Sequence, residues 1–185
     1  MMTYSGLLKI SLFTILIGCK SQIKNDERNS FNNPGNCKPY FSYDKVEHYY
    51  IDISEERVMK IEERENKSDN DVKLTQLLIY DKPNSFSDTN LLNGIDKLGF
   101  KKQEISKNNL ENIKYIFCER KHKESIVSAC APIYRDILIF KEKDKVTGVA
   151  KICFECGQNV IIGTKLNTIE FGQSGDYKRL YEILH

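Results

Sequence analysis

The chain has 185 residues, 40% of them hydrophobic and 29% charged, with six cysteines and a formal net charge of +2. That length suits one domain plus a tether and is enough for a real hydrophobic core. Charge this close to balance creates no field that would draw nucleic acid or anionic lipid, so a nucleic-acid partner is excluded.

The chain opens MMTYSGLLKISLFTILIGCKSQ, with Lys9 before a short apolar run from Ile10 to Ile17. A spanning helix needs roughly twenty apolar residues, so the run is too short to cross a bilayer. With a small residue before the cut site it reads as a secretory signal over residues 1–18. Its removal takes away one lysine and changes the formal charge from +2 to +1.

The cut site, Leu16-Ile17-Gly18-Cys19, resembles the lipobox of bacterial lipoproteins. The resemblance implies that the Cys19 thiol takes a diacylglycerol and that the leader is cut before it. The new amine is then acylated, so Cys19 is the first mature residue and the membrane anchor. Several acyl chains, at about 0.8 kcal/mol per buried methylene, hold a domain to a membrane where one chain would not. Lys20 follows Cys19, where an aspartate would resemble an inner-membrane retention signal, so the outer membrane is the expected address. Lys24-Asn25-Asp26-Glu27 faintly resembles a surface-export signal of some Bacteroidota lipoproteins, and which membrane face is used stays open.

Residues 19–38 are rich in Asn, Ser and Lys and bury too little to offset their ordering entropy, so they read as a tether ahead of a single domain over 39–185. Within that domain, VEHYYIDI (46–53) alternates as a half-buried strand does. Ser54 then caps a helix through EERVMKIEER that ends near Asn66. DVKLTQLLIYD (71–81), β-branched and apolar, reads as a strand closed by Lys82-Pro83-Asn84. Ser87 or Asp88 starts a helix through NLLNGIDKLG with Gly99 as its terminator. Residues 100–105 read as extended, and Asn108–Arg120 as a helix with Leu110, Ile113, Ile116 and Phe117 on one stripe and Cys118 a buried, inert thiol at its edge.

From Ser125 the pattern turns to strands: SIVSAC, PIYRDILIF, VTGVAKICF and NVIIGTK. The charged loop KEKDK sets a hairpin of 133–140 with 146–154. GDYKRLYEILH closes the chain as a helix. Helices in the first half, a mainly antiparallel sheet and a C-terminal helix make the fold class α+β.

With Cys19 assigned to lipid, five cysteines remain: Cys37, Cys118, Cys130, Cys153 and Cys156. In an oxidising compartment some pair, and an odd number leaves at least one over. On one extended strand Cys153 and Cys156 lie about 10 Å apart at roughly 3.3 Å per residue, beyond the ~7 Å Cα limit of a disulfide. Centring the hairpin loop on 142–144 sets Phe140 opposite Val146, Ile133 opposite Cys153 and Cys130 opposite Cys156. The expected bridge is Cys130–Cys156, with Cys130–Cys153 next, and closing such a loop suggests about 3 kcal/mol.

Cys-Phe-Glu-Cys-Gly also has the spacing of one zinc knuckle, but a structural zinc site takes four ligands, usually from two knuckles. A thioredoxin-like pair would need the first cysteine at a helix N-terminus, and here a turn and strand follow. His48, His122 and His185 sit on separate elements, and Arg135 and Asp136, as neighbours on a strand, point to opposite faces. No Ser/His/Asp or Cys/His arrangement can be assembled from spacing.

Cys130-Ala-Pro132-Ile-Tyr134-Arg135-Asp136, with Ile139-Phe140 and Ile152-Cys153-Phe154-Glu155-Cys156, resembles a group of small lipoproteins and exported proteins common in Bacteroidota. The resemblance implies lineage and a hairpin, and no chemistry. The sequence thus reads as a lipid-anchored envelope domain, a non-enzymatic binding or scaffold module, held by its lipid and engaging another envelope protein. The alternative is a thiol-redox or zinc-binding protein using Cys130, Cys153 and Cys156.

Overall fold

A computed structural model of the protein describes residues 37–121, 129–173 and 175–185. The leader, Cys19, the tether to residue 36 and residues 125–128 of the strand expected at 125–130 lie outside the described residues. The class is α+β: a five-stranded antiparallel sheet in the order β3-β2-β5-β6-β7, formed by β2 (Lys45–Tyr50), β3 (Lys101–Glu104), β5 (Asp136–Glu142), β6 (Lys145–Cys153) and β7 (Gln158–Ile162). A small second sheet pairs β1 (Lys38–Pro39) with β4 (Cys118–Glu119).

Strand β5 is buried from Asp136 through Phe140 and pairs on both edges, with β2 and with β6. Side chains alternate across a pleated strand, so each face of the sheet gathers its own core. On one face Ile51, Ile137, Ile139, Val149 and Ile162 pack with α1 (Glu55–Glu62) and α2 (Asp69–Leu78) through Val58, Ile61, Leu74, Leu77 and Leu78. On the other, Val46, Leu138, Phe140, Ala150 and Ile152 pack with α3 (Lys107–Ile116) and α4 (Asp176–Leu184) through Ile113, Ile116, Leu180 and Leu184. The result is three layers with the sheet in the middle.

Several local expectations are corrected. Residues 71–81 are not a strand: α2 starts at Asp69, fixed by a reciprocal capping box between Ser68 and Asp71. That box satisfies two orphan N-terminal donors at once, and Leu74, Leu77 and Leu78 then share one face. The first helix stops at Glu62, short of Asn66, and residues 86–98 form two 3₁₀ segments, Phe86–Leu92 and Ile95–Leu98, in place of one α-helix. Gly99 does terminate the second of these, at φ 97°. The third helix ends at Ile116, three residues before a two-residue strand pair would close at Glu119.

The hairpin is shifted too. Its turn is the two-residue pair Lys143-Asp144, both with positive φ (49° and 63°), a geometry whose twist matches the flanking strands. A bulge between Phe140 and Lys141 then sets Phe140 opposite Gly148, not Val146, and Asp136 opposite Ile152. Thr147 Oγ1 donates to the Phe140 carbonyl at 3.3 Å across that bulge. The first strand begins at Asp136 instead of Ile133, because Tyr134 N–H turns away to the Leu78 carbonyl at 2.7 Å.

Gly148 is required by its surroundings: a Cβ there would stand 2.3 Å from the Phe41 ring, which packs tilted against Phe140 with centroids 4.6 Å apart. Lys151, fully buried on β6, turns toward α2, where Nζ donates to the carbonyls of Tyr80 and Lys82 (2.7 Å to the latter) and lies 4.5 Å from the centre of the Tyr134 ring. Burial drives its pKa down to about 7 while Asp81 opposes the shift. Nζ can donate to those carbonyls with or without its charge, so this side chain fastens the end of α2 to the sheet.

Gly148→Ala forces the Phe41 ring aside, and chemical denaturation should show a loss of about 1–3 kcal/mol. Lys151→Met leaves those carbonyls without their donor and should cost about 1–3 kcal/mol, with faster amide exchange over residues 76–83. Between the folded pKa near 7 and the unfolded value of about 10.4 the unfolded chain binds more protons, so wild-type stability rises with pH in that window. The gap between wild type and Lys151→Met should therefore widen from pH 7 to about 10.

Candidate functional site

Asp136 opens the central strand, buried through Phe140, and an ionised carboxylate there is costly unless donors reach it. Two imidazoles do. His48, on the same face of β2 and fully buried, places Nε2 2.7 Å from Asp136 Oδ1. His185, directly after α4, places Nε2 3.0 Å from the same oxygen. His48 Nδ1 is buried and has no hydrogen-bond partner among the described residues.

Each contributor is brought in by a different local rule. The β2–β5 register sets His48 opposite Leu138, so Asp136 is its diagonal neighbour on the same face. Helix α4 is aligned by Leu180 and Leu184 in the core and by Asp176 at its first turn, which pairs with Arg120 at 2.8 Å and with Arg179. That alignment runs Tyr177, Tyr181 and His185 along one stripe, and Phe154, in the turn after β6, meets all three edge-on, nearest to Tyr181 at 5.2 Å.

Above the cluster lies an open cleft of about 360 Å³, lined by Tyr50, Arg135, Phe154, Glu155, Tyr181 and His185 among others. Tyr50 stacks on His48 at 5.6 Å and meets His185 edge-on at 6.0 Å. Arg135 forms the rim, with Nε donating to the Ile53 carbonyl at 2.8 Å and its guanidinium paired with Glu155. The cleft thus has aromatic walls, a polar floor and an ion-paired rim, at the small end of the ~300–1,000 Å³ range of ligand pockets.

The sulfur residues do not line it, although Cys153 Sγ lies 3.8 Å from the Glu155 carboxylate at its rim. Cys130 and Cys156 form a disulfide with Cα atoms 5.9 Å apart, and Cys153 is a free, buried thiol. The strand ladder is not what joins them: residues 154–157 form a turn, and Gln158 Nε2 donates to the Cys130 carbonyl at 2.7 Å, holding that segment beside it. Cys153 and Cys156 share a small cluster with Tyr134, whose hydroxyl burial pushes up to about 12. With the disulfide closed, two of the three sulfurs considered for zinc are already bonded to each other. Cys118 is not a lone thiol: it bonds Cys37, at 5.7 Å between Cα atoms, so Cys37 and Lys38, placed in the tether by sequence, are fastened to the domain.

Arg135 and Asp136 do not pair with each other and both border the cleft. The imidazole pair is what sequence reasoning missed. The available signal was a histidine inside VEHYYI and an aspartate inside PIYRDILIF, two polar side chains at core positions of apolar strands. Comparison with family models, with curated proteins and with solved structures returns no match to this chain.

The loop-closure model assigns about 3.5 kcal/mol to the Cys130–Cys156 bridge and about 4.5 kcal/mol to Cys37–Cys118. Peptide mapping without reductant should recover those two cross-links. Cys153 should take alkylating reagent only after unfolding. Cys153 found in a cross-link, or labelled at once in the native protein, contradicts the assignment.

Proposed function

We propose that this protein is a lipid-anchored domain of the bacterial cell envelope, held at the outer membrane through Cys19, and that it works as a binding module through the cleft over Asp136. The anchor is supported by the lipobox-like Leu16-Ile17-Gly18-Cys19 and by the polar segment that follows it. The binding role rests on one observation: a concave aromatic cleft whose floor is a buried carboxylate gripped by two imidazoles. A stretch of about eighteen residues at up to ~3.5 Å each would let the domain stand some 60 Å from the bilayer, enough to meet another envelope protein.

A second reading uses the sulfurs for redox or zinc chemistry. It is favoured by the packing of Cys153 against Cys156, which would leave three thiols close together once the disulfide opened.

Two experiments test the first reading separately. Grown with alkyne-palmitate in a bacterial host, the wild-type chain should be labelled and sediment with membranes, whereas Cys19→Ser should carry no label; an unlabelled wild type removes the anchor. In a fragment screen read by amide NMR, shifts should centre on Phe154, Tyr181 and His185. Fragments that bind only elsewhere, or a Tyr181→Ala variant with the same hits, remove the cleft as the binding site.

A further inference from the structure

His48 Nε2, Asp136 Oδ1 and His185 Nε2 come from a strand, its neighbour and the residue after a helix, and all lie within 4.8 Å of one another. A zinc-class ion holds nitrogen and carboxylate oxygen at about 2.0–2.2 Å, which sets neighbouring donors of a tetrahedron about 3.4 Å apart. The present spacings to Oδ1, 2.7 and 3.0 Å, are those of hydrogen bonds, with a proton on each nitrogen where an ion would sit. Exchanging two protons for one ion therefore asks the donors to open by about half an ångström.

Rotation of the side chains has to supply that opening at both contacts, and His185 has the most room to move. His48 and Asp136 are fixed by ladder bonds on adjacent strands, while His185 lies beyond the last turn of α4 with its side chain 27% exposed. The donor set also selects among ions. Two imidazoles and one carboxylate suit a borderline transition metal, and hard ions such as Mg²⁺ or Ca²⁺ prefer all-oxygen shells. Three protein donors leave a coordination position, and it faces the cleft between Tyr50, Phe154 and Tyr181, where a small ligand or water can complete the sphere.

We propose that His48, Asp136 and His185 form a binding site for a divalent transition-metal ion of the zinc class, open to the aromatic cleft. The site deepens the binding role proposed above, since the ion forms the floor of the same cleft. The bare Nδ1 of His48 sets the strength of binding. With Nε2 on the ion, the ring proton moves to Nδ1, where no acceptor stands among the described residues. Such outer-shell partners are worth about 10–100-fold in affinity, so this site should bind more weakly by that factor than one whose histidines are both buttressed.

The test uses the untagged full-length protein in mild detergent, stripped with chelator and titrated with Co²⁺. One equivalent should bind with a visible ligand-field band and without the near-ultraviolet thiolate-to-cobalt band. Zn²⁺ should displace it and Mg²⁺ or Ca²⁺ should not. His185→Gln, whose side-chain amide can still donate to Asp136, should stay folded with at most a small fall in metal-free melting temperature and lose about 100-fold or more in Co²⁺ affinity, beyond an outer-shell effect. Asp136→Asn, should it fold, should do the same. Absence of binding, affinity unchanged in His185→Gln, or a thiolate band overturns the proposal. Palmitate labelling reads Cys19 alone and the fragment screen is read on metal-free protein, so a failure here leaves the anchor and the cleft to stand or fall on their own results.

Discussion

The structure depends on a carboxylate placed where an unpaired charge could not stay. Asp136 begins the central strand, which is buried on both faces and paired on both edges, and its side chain points into the core shared with α3 and α4. An ion there needs donors in place of water. His48 and His185 supply them, and in doing so they join the second strand, the central strand and the end of the last helix at one oxygen. The same contacts that make Asp136 tolerable give the protein its most chemically distinctive point.

The two faces of the sheet divide the polar chemistry between them. On the side of α3 and α4, the register collects imidazole, carboxylate and aromatic rings around a cleft open to solvent. On the other, one residue along β6, Lys151 reaches the carbonyls after α2, and Cys153 is shut in beside Tyr134 and the Cys130–Cys156 bridge. The sulfur side is closed and already bonded, as a stapled structural region is. The imidazole side is open and holds donor atoms able to exchange protons for another ligand, and for that reason the functional proposal is placed there.

What the sequence made legible was local. The α+β class, the hairpin near Lys143 and the closing helix follow from periodicity and turn residues within a few positions of each other. Helix α2 was misread because its β-branched and apolar content suits either state, and the deciding signal was the Ser68–Asp71 capping box. The register slipped because a two-residue turn and a bulge at Phe140 each move the pairing by one, and neither leaves a periodic trace. Contacts distant in sequence were out of reach: Cys37 and Cys118 are 81 positions apart, and His48 and Asp136 are 88 apart. Strand pairing, which spacing does not encode, brings them together, in the small sheet for the cysteines and in the large one for His48 and Asp136.

The most direct check on the whole account is the state of the His48 ring in metal-free protein, read by long-range proton–nitrogen NMR. The account requires a proton on Nε2, sheltered from exchange by its bond to Asp136, with a nuclear Overhauser contact to the His185 ring, whose centre lies 5.6 Å away. A rapidly exchanging Nε2 proton with no contact to His185 would mean that the carboxylate is not held between the two imidazoles, and the cleft, the metal site and the placement of α4 would all have to be redrawn.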